Sequence, residues 1–249
     1  IDVSGEKGGG RIFVGGGHRG ENPSIRNARR VTVEAGAVLR ADAGSIGNGG
    51  RVIVFSEEDT VFEGLITARG GSIEGDGGFA EISGKRNLTH TGQVNLGATN
   101  GAPGTLLFDP EAIEIRPGAG TDDTSDSYNN ILYADNIVAD LANQNVNLLA
   151  MGPDGTGTIN ILAATMFEWS AGTTLSLSAD GSLDLKDGVQ FKMHHENGGL
   201  QIDGGASLTL KNLTIDGSGG NISIRATSPN SMVGGPGVNA DGLTINNSG

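Results

Sequence analysis

His194-His195-Glu196, immediately after VQFKM, is the most conspicuous polar cluster in the chain. In an extended strand adjacent side chains point to opposite faces, so the two imidazoles cannot grip one ion side by side without a turn. Asn197-Gly198-Gly199 supplies a turn, but exposed turn residues account for the run without any metal. His18 and His90 stand alone in the sequence with no partner in view. Aspartate joins glycine in GDGG at Gly75, PDGTG at Pro153, SADGS at Ser178 and NADG at Asn239, and Asp122, Asp123 and Asp126 form a further acidic run. Oxygen-rich loops suit Ca²⁺. Neither the tandem GGxGxD nonapeptide nor a DxDxDG loop occurs, however, and Asp-Gly is the ordinary composition of tight turns. Calcium stays an open alternative, and no resident metal or cofactor is expected.

Carboxylates facing Lys or Arg would serve acid-base chemistry on a polysaccharide. Asp180, Asp184 and Asp187 with Lys186 and Lys192 come nearest to this, yet nothing in their spacing forces them onto one face, so no catalytic residue is expected. Binding a sugar without turnover uses exposed rings. Tyr128, Tyr133, Phe167 and Trp169 are the few rings grouped in one stretch and form the candidate ligand-binding set, Phe167 and Trp169 sharing one face of an alternating FEW. Packing inside a coil is the competing role for the same rings. GGGHRG at Gly15 resembles a phosphate cradle only in its glycines, because no Lys-Ser or Lys-Thr follows and no helix start is signalled.

The elements that must position these groups are marked by glycine: 44 of 249 residues, in clusters between short runs of alternating apolar and polar residues. In the first half VTV at Val31, VIV at Val52, FAEI at Phe79 and TLLF at Thr105 start 21 to 27 residues apart, which predicts stacked repeats of a β-solenoid. In the second half VNLLA, TINIL, TLSLS, SLDLK, LQI, SLTLK, LTI and NISI follow more closely. Intervals of 8 to 9 residues, as from 175 to 183, 200 to 208 and 213 to 222, place successive strands on successive faces of one turn. Aromatics are only 4 %, which favours a narrow coil filled by Val, Ile, Leu and Ala over a sandwich that needs large rings. Between the halves, RPGAGTDDTSDS reads as a polar loop. ADNIVADLAN then predicts one short covering α-helix near residues 134–143, with Asp135 as N-cap and Ile137, Val138 and Leu141 on one stripe. The expected organisation is β-helix rungs over 1–116, loop and helix over 117–144, and further rungs over 145–249.

The chain has no cysteine, which removes disulfides and thiolate metal sites. Its formal net charge of −13 argues against nucleic acid and anionic membranes as partners. The imbalance is uneven: residues 1–116 carry 12 Lys and Arg against 15 Asp and Glu, residues 117–249 carry 4 against 14. No apolar run approaches the ~20 residues of a membrane span, and the chain, starting at Ile1, reads as a piece of a longer protein.

From Gly8 to Ile115 the chain resembles filamentous-haemagglutinin-like exoproteins of bacterial two-partner secretion systems. The resemblance is carried by GGGHRG followed by NAR and a V-x-V strand, by DGGFAEISGK and by TLLFDPEAIEI, and the later helix and the TINIL, TLSLSADGSLDL series extend it. The family's NPNG-type and NPNL-type secretion motifs are not visible, Asn22-Pro23-Ser24 being the nearest echo. The resemblance implies an all-β, right-handed parallel β-helix, exported through an outer-membrane partner transporter to the surface of a Gram-negative bacterium. There it would act as a monomeric, rigid adhesin stalk supporting attachment to host cells, other bacteria or matrix polysaccharide. A β-helical lyase or hydrolase and a passive structural matrix protein are the alternatives; catalysis is not expected.

Overall fold

The computed structural model of the chain describes residues 1–120, 130–226 and 237–247. They are nearly all β, in parallel stacked coils with a single α-helix. The chain divides into two compact units, Ile1–Asp109 with Asn143–Val146, and Pro110–Ala142 with Asn147–Gly249. Each is a β-solenoid.

In the first unit Arg11–Val14, Arg51–Ser56, Phe79–Gly84 and Thr105–Phe108 pair in parallel, in that order. A second face stacks Arg30–Val33, Asp59–Phe62 and Asn87–His90, and a third stacks Val38–Arg40, Leu65–Thr67 and Gln93–Asn95. Alternation along each strand sends one set of side chains inward, so Val52, Val54, Ala80, Ile82, Leu106 and Phe108 are buried in register above one another. Val31 does not belong with Val52 as the spacing predicts. It lies on the second face beside Thr60, and the true neighbour of Val52 is Ile12. The 15-residue excursion Gly15–Arg29 lengthens the first coil and shifts the apparent period. His90 is buried between Phe62 and Phe108, its ring 5.7 and 5.1 Å from theirs, so it belongs to the core.

The second unit stacks Ala112–Arg116 between Asn130–Tyr133 and Thr158–Ile161, followed by Ser182–Leu185, Ser207–Lys211 and Gly237–Asp241. Its other faces carry Met166–Trp169, Gln190–Met193, Thr214–Gly217 and Thr244–Asn247, and Thr174–Ala179, Gly199–Asp203 and Asn221–Arg225. The predicted steps from 175 to 183, 200 to 208 and 213 to 222 do pass from face to face. Register then builds aliphatic ladders, Ile113-Ile159-Leu183-Leu208 and Ile115-Ile161-Leu185-Leu210. Each added rung buries one more layer of this kind, which is why such stability accumulates coil by coil.

The helix spans Ala134–Leu141 and buries Ala134, Ile137 and Leu141 against Met166–Trp169. Its N-cap is Tyr133, not Asp135, and no side chain caps it. The amide of Asp135 instead donates to the Gly118 carbonyl oxygen at 3.0 Å, so the orphan donor is met by backbone and Asp135 sits in the first turn, where its charge favours the helix dipole.

One corner of this unit recurs in a left-handed backbone at Ala164 (φ 59), Gly188 (φ 74), Asn212 (φ 45) and Gly242 (φ 71). The amide of Ala164 donates to Asp187, that of Gly188 to Lys211 and that of Asn212 to Asp241. An alanine in this region carries a penalty of about 1 kcal/mol that glycine escapes. Ala164→Gly is therefore expected to raise stability by about 1 kcal/mol, and Gly188→Ala to lower it by about 1–2 kcal/mol, although nothing lies within 4 Å of a Cβ there. Urea midpoints that move together, or not at all, would sink this account of the corner.

Candidate functional site

GGGHRG is not a phosphate cradle. It opens a strap, residues 15–29, that folds over the outer face of the first unit's longest sheet. On that face the outward positions read Phe13, Ile53, Glu81 and Leu107 in register, and two of them, Ile53 and Glu81, are 0 % exposed. The strap causes this burial. Gly16 and Gly20 lie so close to the Phe55 ring that a Cβ on either would strike it. His18 Nδ1 is 2.6 Å from Glu81 Oε2, and the amide of Arg19 donates to the same carboxylate at 3.0 Å. Arg19 Nε donates to Asp109 Oδ2 at 2.7 Å. Burial is the largest influence on both acids and leaves Glu81 and Asp109 above the usual carboxylate range, despite the opposing pull of His18 and Arg19 on Glu81 and of Arg19 on Asp109. Two perturbed acids beside a His and an Arg have the elements of a catalytic cluster. Here the Glu81 side chain is wholly inaccessible and that of Asp109 is 8 % exposed, both engaged by the strap.

What the strap does reach is Phe79. The His18 ring meets it edge-on with centroids 5.5 Å apart, and Arg51 places its guanidinium 4.5 Å from the centroid of the same ring. Phe79 and Arg51 are register partners, and Arg51 is in turn the register partner of Arg11. These side chains form one lip of a groove of about 520 Å³. The floor is backbone, from Gly9 and Gly10, Gly49 and Gly50, Gly77 and Gly78, and Gly104. Glycine is imposed there by the fold, since a Cβ on Gly49 or Gly77 would run into the carbonyl oxygen of Ala68 or Leu96. Asn48 and Asp76 stand on the other lip. Asn48 Oδ1 accepts from the Asp76 amide at 2.9 Å, and Asp76 Oδ1 accepts from the Ala102 amide at 2.8 Å. A second groove of about 400 Å³ contains Arg69, whose charge is already matched by Asp42 at 2.8 Å.

The residues singled out from sequence lie elsewhere. Phe167 and Trp169 are 0 % and 3 % exposed: Phe167 stacks on Phe191 at 4.9 Å, and Trp169 Nε1 donates to the Thr173 carbonyl oxygen. Their rings fill the coil beside the helix and offer no open face to a sugar. Tyr133 is half-buried at the helix N-cap, and Tyr128 lies outside the described residues, as do Asp122, Asp123 and Asp126. His194 Nε2 pairs with Glu168 at 2.8 Å, whereas His195 Nδ1 accepts from the Asn197 amide, so the two imidazoles serve different ends. Asp184 pairs with Lys186, Asp187 with Asn212, and Asp180 accepts from the amides of Gly152 and Gly157, which leaves no shared acidic face among them. Among the described residues no three His, Asp or Glu side chains converge as a metal site, and no helix is long and apolar enough to cross a membrane. No protein-family model matches the chain, and no curated protein matches it. The arginine-lined groove did leave a trace in the sequence: Gly-Gly-Arg at Gly9 recurs at Gly49, and Gly-Gly-Phe follows at Gly77.

Proposed function

We propose that the chain is a non-catalytic segment of a secreted, filamentous-haemagglutinin-like adhesin, carried to a Gram-negative cell surface by a partner transporter. Its task is to hold binding surfaces on a stiff support. The observation that carries this reading is the coil geometry within each unit. Strand upon strand pairs in parallel register over a dry aliphatic interior, a construction that resists bending because each rung is hydrogen-bonded to the next. The best-placed acids are locked into structural pairs, which supports attachment over turnover. Such a support works by contact, so its ligand is retained and released unchanged.

The test is a glycan array and a cell-retention assay with the purified chain, run beside a chain-length assay of every polysaccharide retained. Retention of at least one glycan or cell type with no shortening is the expected result. Shortening would make the protein a β-helical polysaccharide enzyme. Failure to hold anything would make it a passive structural element.

A further inference from the structure

The geometry points to the Arg11–Arg51–Phe79 groove as a binding site for a linear, carboxylate-bearing polysaccharide, a polyuronate; this rests on the adhesin reading and names the ligand of one of its surfaces. Arg11 and Arg51 face the same way from directly paired positions on adjacent parallel strands, about 4.8 Å apart. Like charges so placed repel and destabilise the pair of strands. Of the other arginines of the unit only Arg26 meets no acid among the described residues. Arg19, Arg29, Arg30, Arg40, Arg69 and Arg86 all meet an Asp or Glu within 4 Å. Arg11 and Arg51 meet none among the described residues, in a chain that carries 29 acids against 16 bases. Two cations on paired positions of neighbouring strands, neither matched by an acid, are arranged for an anion that arrives from outside.

The groove says what kind of anion. Arg51 is not a loose surface cation, because the Phe79 ring beneath its guanidinium and the His18 ring at the edge of Phe79 hold the fork in place. A fixed guanidinium matches a planar carboxylate with two parallel hydrogen bonds. The floor has no side chains, so a ligand lies directly against backbone along successive rungs, whose spacing is close to the advance of one sugar ring in an extended glycan. On the opposite lip the carboxylate of Asp76 can accept from a hydroxyl group and repels a carboxylate, and the neutral amide of Asn48 can pair with a hydroxyl. A uronate polymer presents both chemistries, carboxylates toward the arginines and hydroxyls toward the amide and acid. A polyanion without hydroxyls, such as an acidic peptide, satisfies only one lip.

The test titrates the whole chain with oligogalacturonate, with its methyl ester, and with poly-glutamate, by calorimetry at fixed salt. Oligogalacturonate is expected to bind, its neutral ester and poly-glutamate at least about tenfold more weakly. Arg11→Gln/Arg51→Gln should weaken oligogalacturonate by about tenfold or more, the loss of a charge-assisted hydrogen bond. Arg11→Gln alone, at an exposed position off the Phe79 ring, must also weaken binding, which keeps the test decisive should the double variant unfold. No oligogalacturonate binding, equal binding of poly-glutamate, or undiminished binding by both variants would overturn the site. If the glycan array finds other ligands while oligogalacturonate fails, this assignment falls and the adhesin reading does not.

Discussion

Val54→Asp is expected to lower the unfolding free energy by about 3–5 kcal/mol, the range for an uncompensated buried charge. Val54 is 0 % exposed and sits in register between Val14 below and Ile82 above, inside a coil whose facing positions are aliphatic. An ionised carboxylate there finds no donor, and a protonated one still loses its hydrogen bonds to water. Because a solenoid is stabilised rung by rung, the damage should be local first. Hydrogen exchange should show amides of Arg11–Val14, Arg51–Ser56 and Phe79–Gly84 losing protection ahead of the rest. Ser176→Asp, at an outward position, is the control and should change stability by less than about 0.5 kcal/mol. Equal effects at both positions would mean that Val54 does not face a packed interior.

Glu81→Ala is expected to cost about 2–3 kcal/mol, and Glu81→Gln less than about 1 kcal/mol. Alanine removes the acceptor for both His18 and the Arg19 amide, whereas glutamine keeps an oxygen for the amide in the same space. The pH dependence separates this site from the rest of the surface. Burial holds the Glu81 and Asp109 carboxyls above the ordinary range. Their contribution to stability is therefore fully present below the unfolded-state carboxylate value and is lost as pH rises through the raised folded values. Asp42 has the opposite sign: burial raises it, but the Arg69 side chain and amide with Thr67 outweigh that and hold it below the ordinary range. Its contribution is present above the unfolded value and lost as pH falls through the folded one. Stability measured by urea midpoint against pH should thus fall less steeply for Glu81→Gln than for the natural chain just above the ordinary carboxylate range. Parallel curves would show that Glu81 is not the buried acid described.

Glu81 also shows why part of this protein was hidden in its sequence. Phe79 to Gly84 was legible as a strand, and an acid at its third position is the normal outward residue of a half-buried sheet. That it is buried depends on His18, 63 residues away, and on a strap whose only local signature is a run of glycines. Phe167 and Trp169 illustrate the reverse case. Alternation correctly placed both rings on one face, but that this face looks into the coil shows only in the stacking of strands, where Phe167 lies on Phe191 and Trp169 beside Met193. The Gly-Gly-Arg, Gly-Gly-Arg, Gly-Gly-Phe series at Gly9, Gly49 and Gly77 is unevenly spaced, and only the pairing of Arg11 with Arg51 and of Arg51 with Phe79 turns it into a ladder.

The sequence by itself determined the all-β coil, the corners and the short helix, because alternation, glycine and helical periodicity are local properties that each segment expresses wherever it lies. Tertiary structure alone decided which strands became neighbours, which outward face was covered by the strap, and where two arginines came to stand together. Those outcomes depend on how successive coils stack, and the excursion Gly15–Arg29 alters the spacing of strands along the sequence while leaving each strand paired with its equivalent in the next coil.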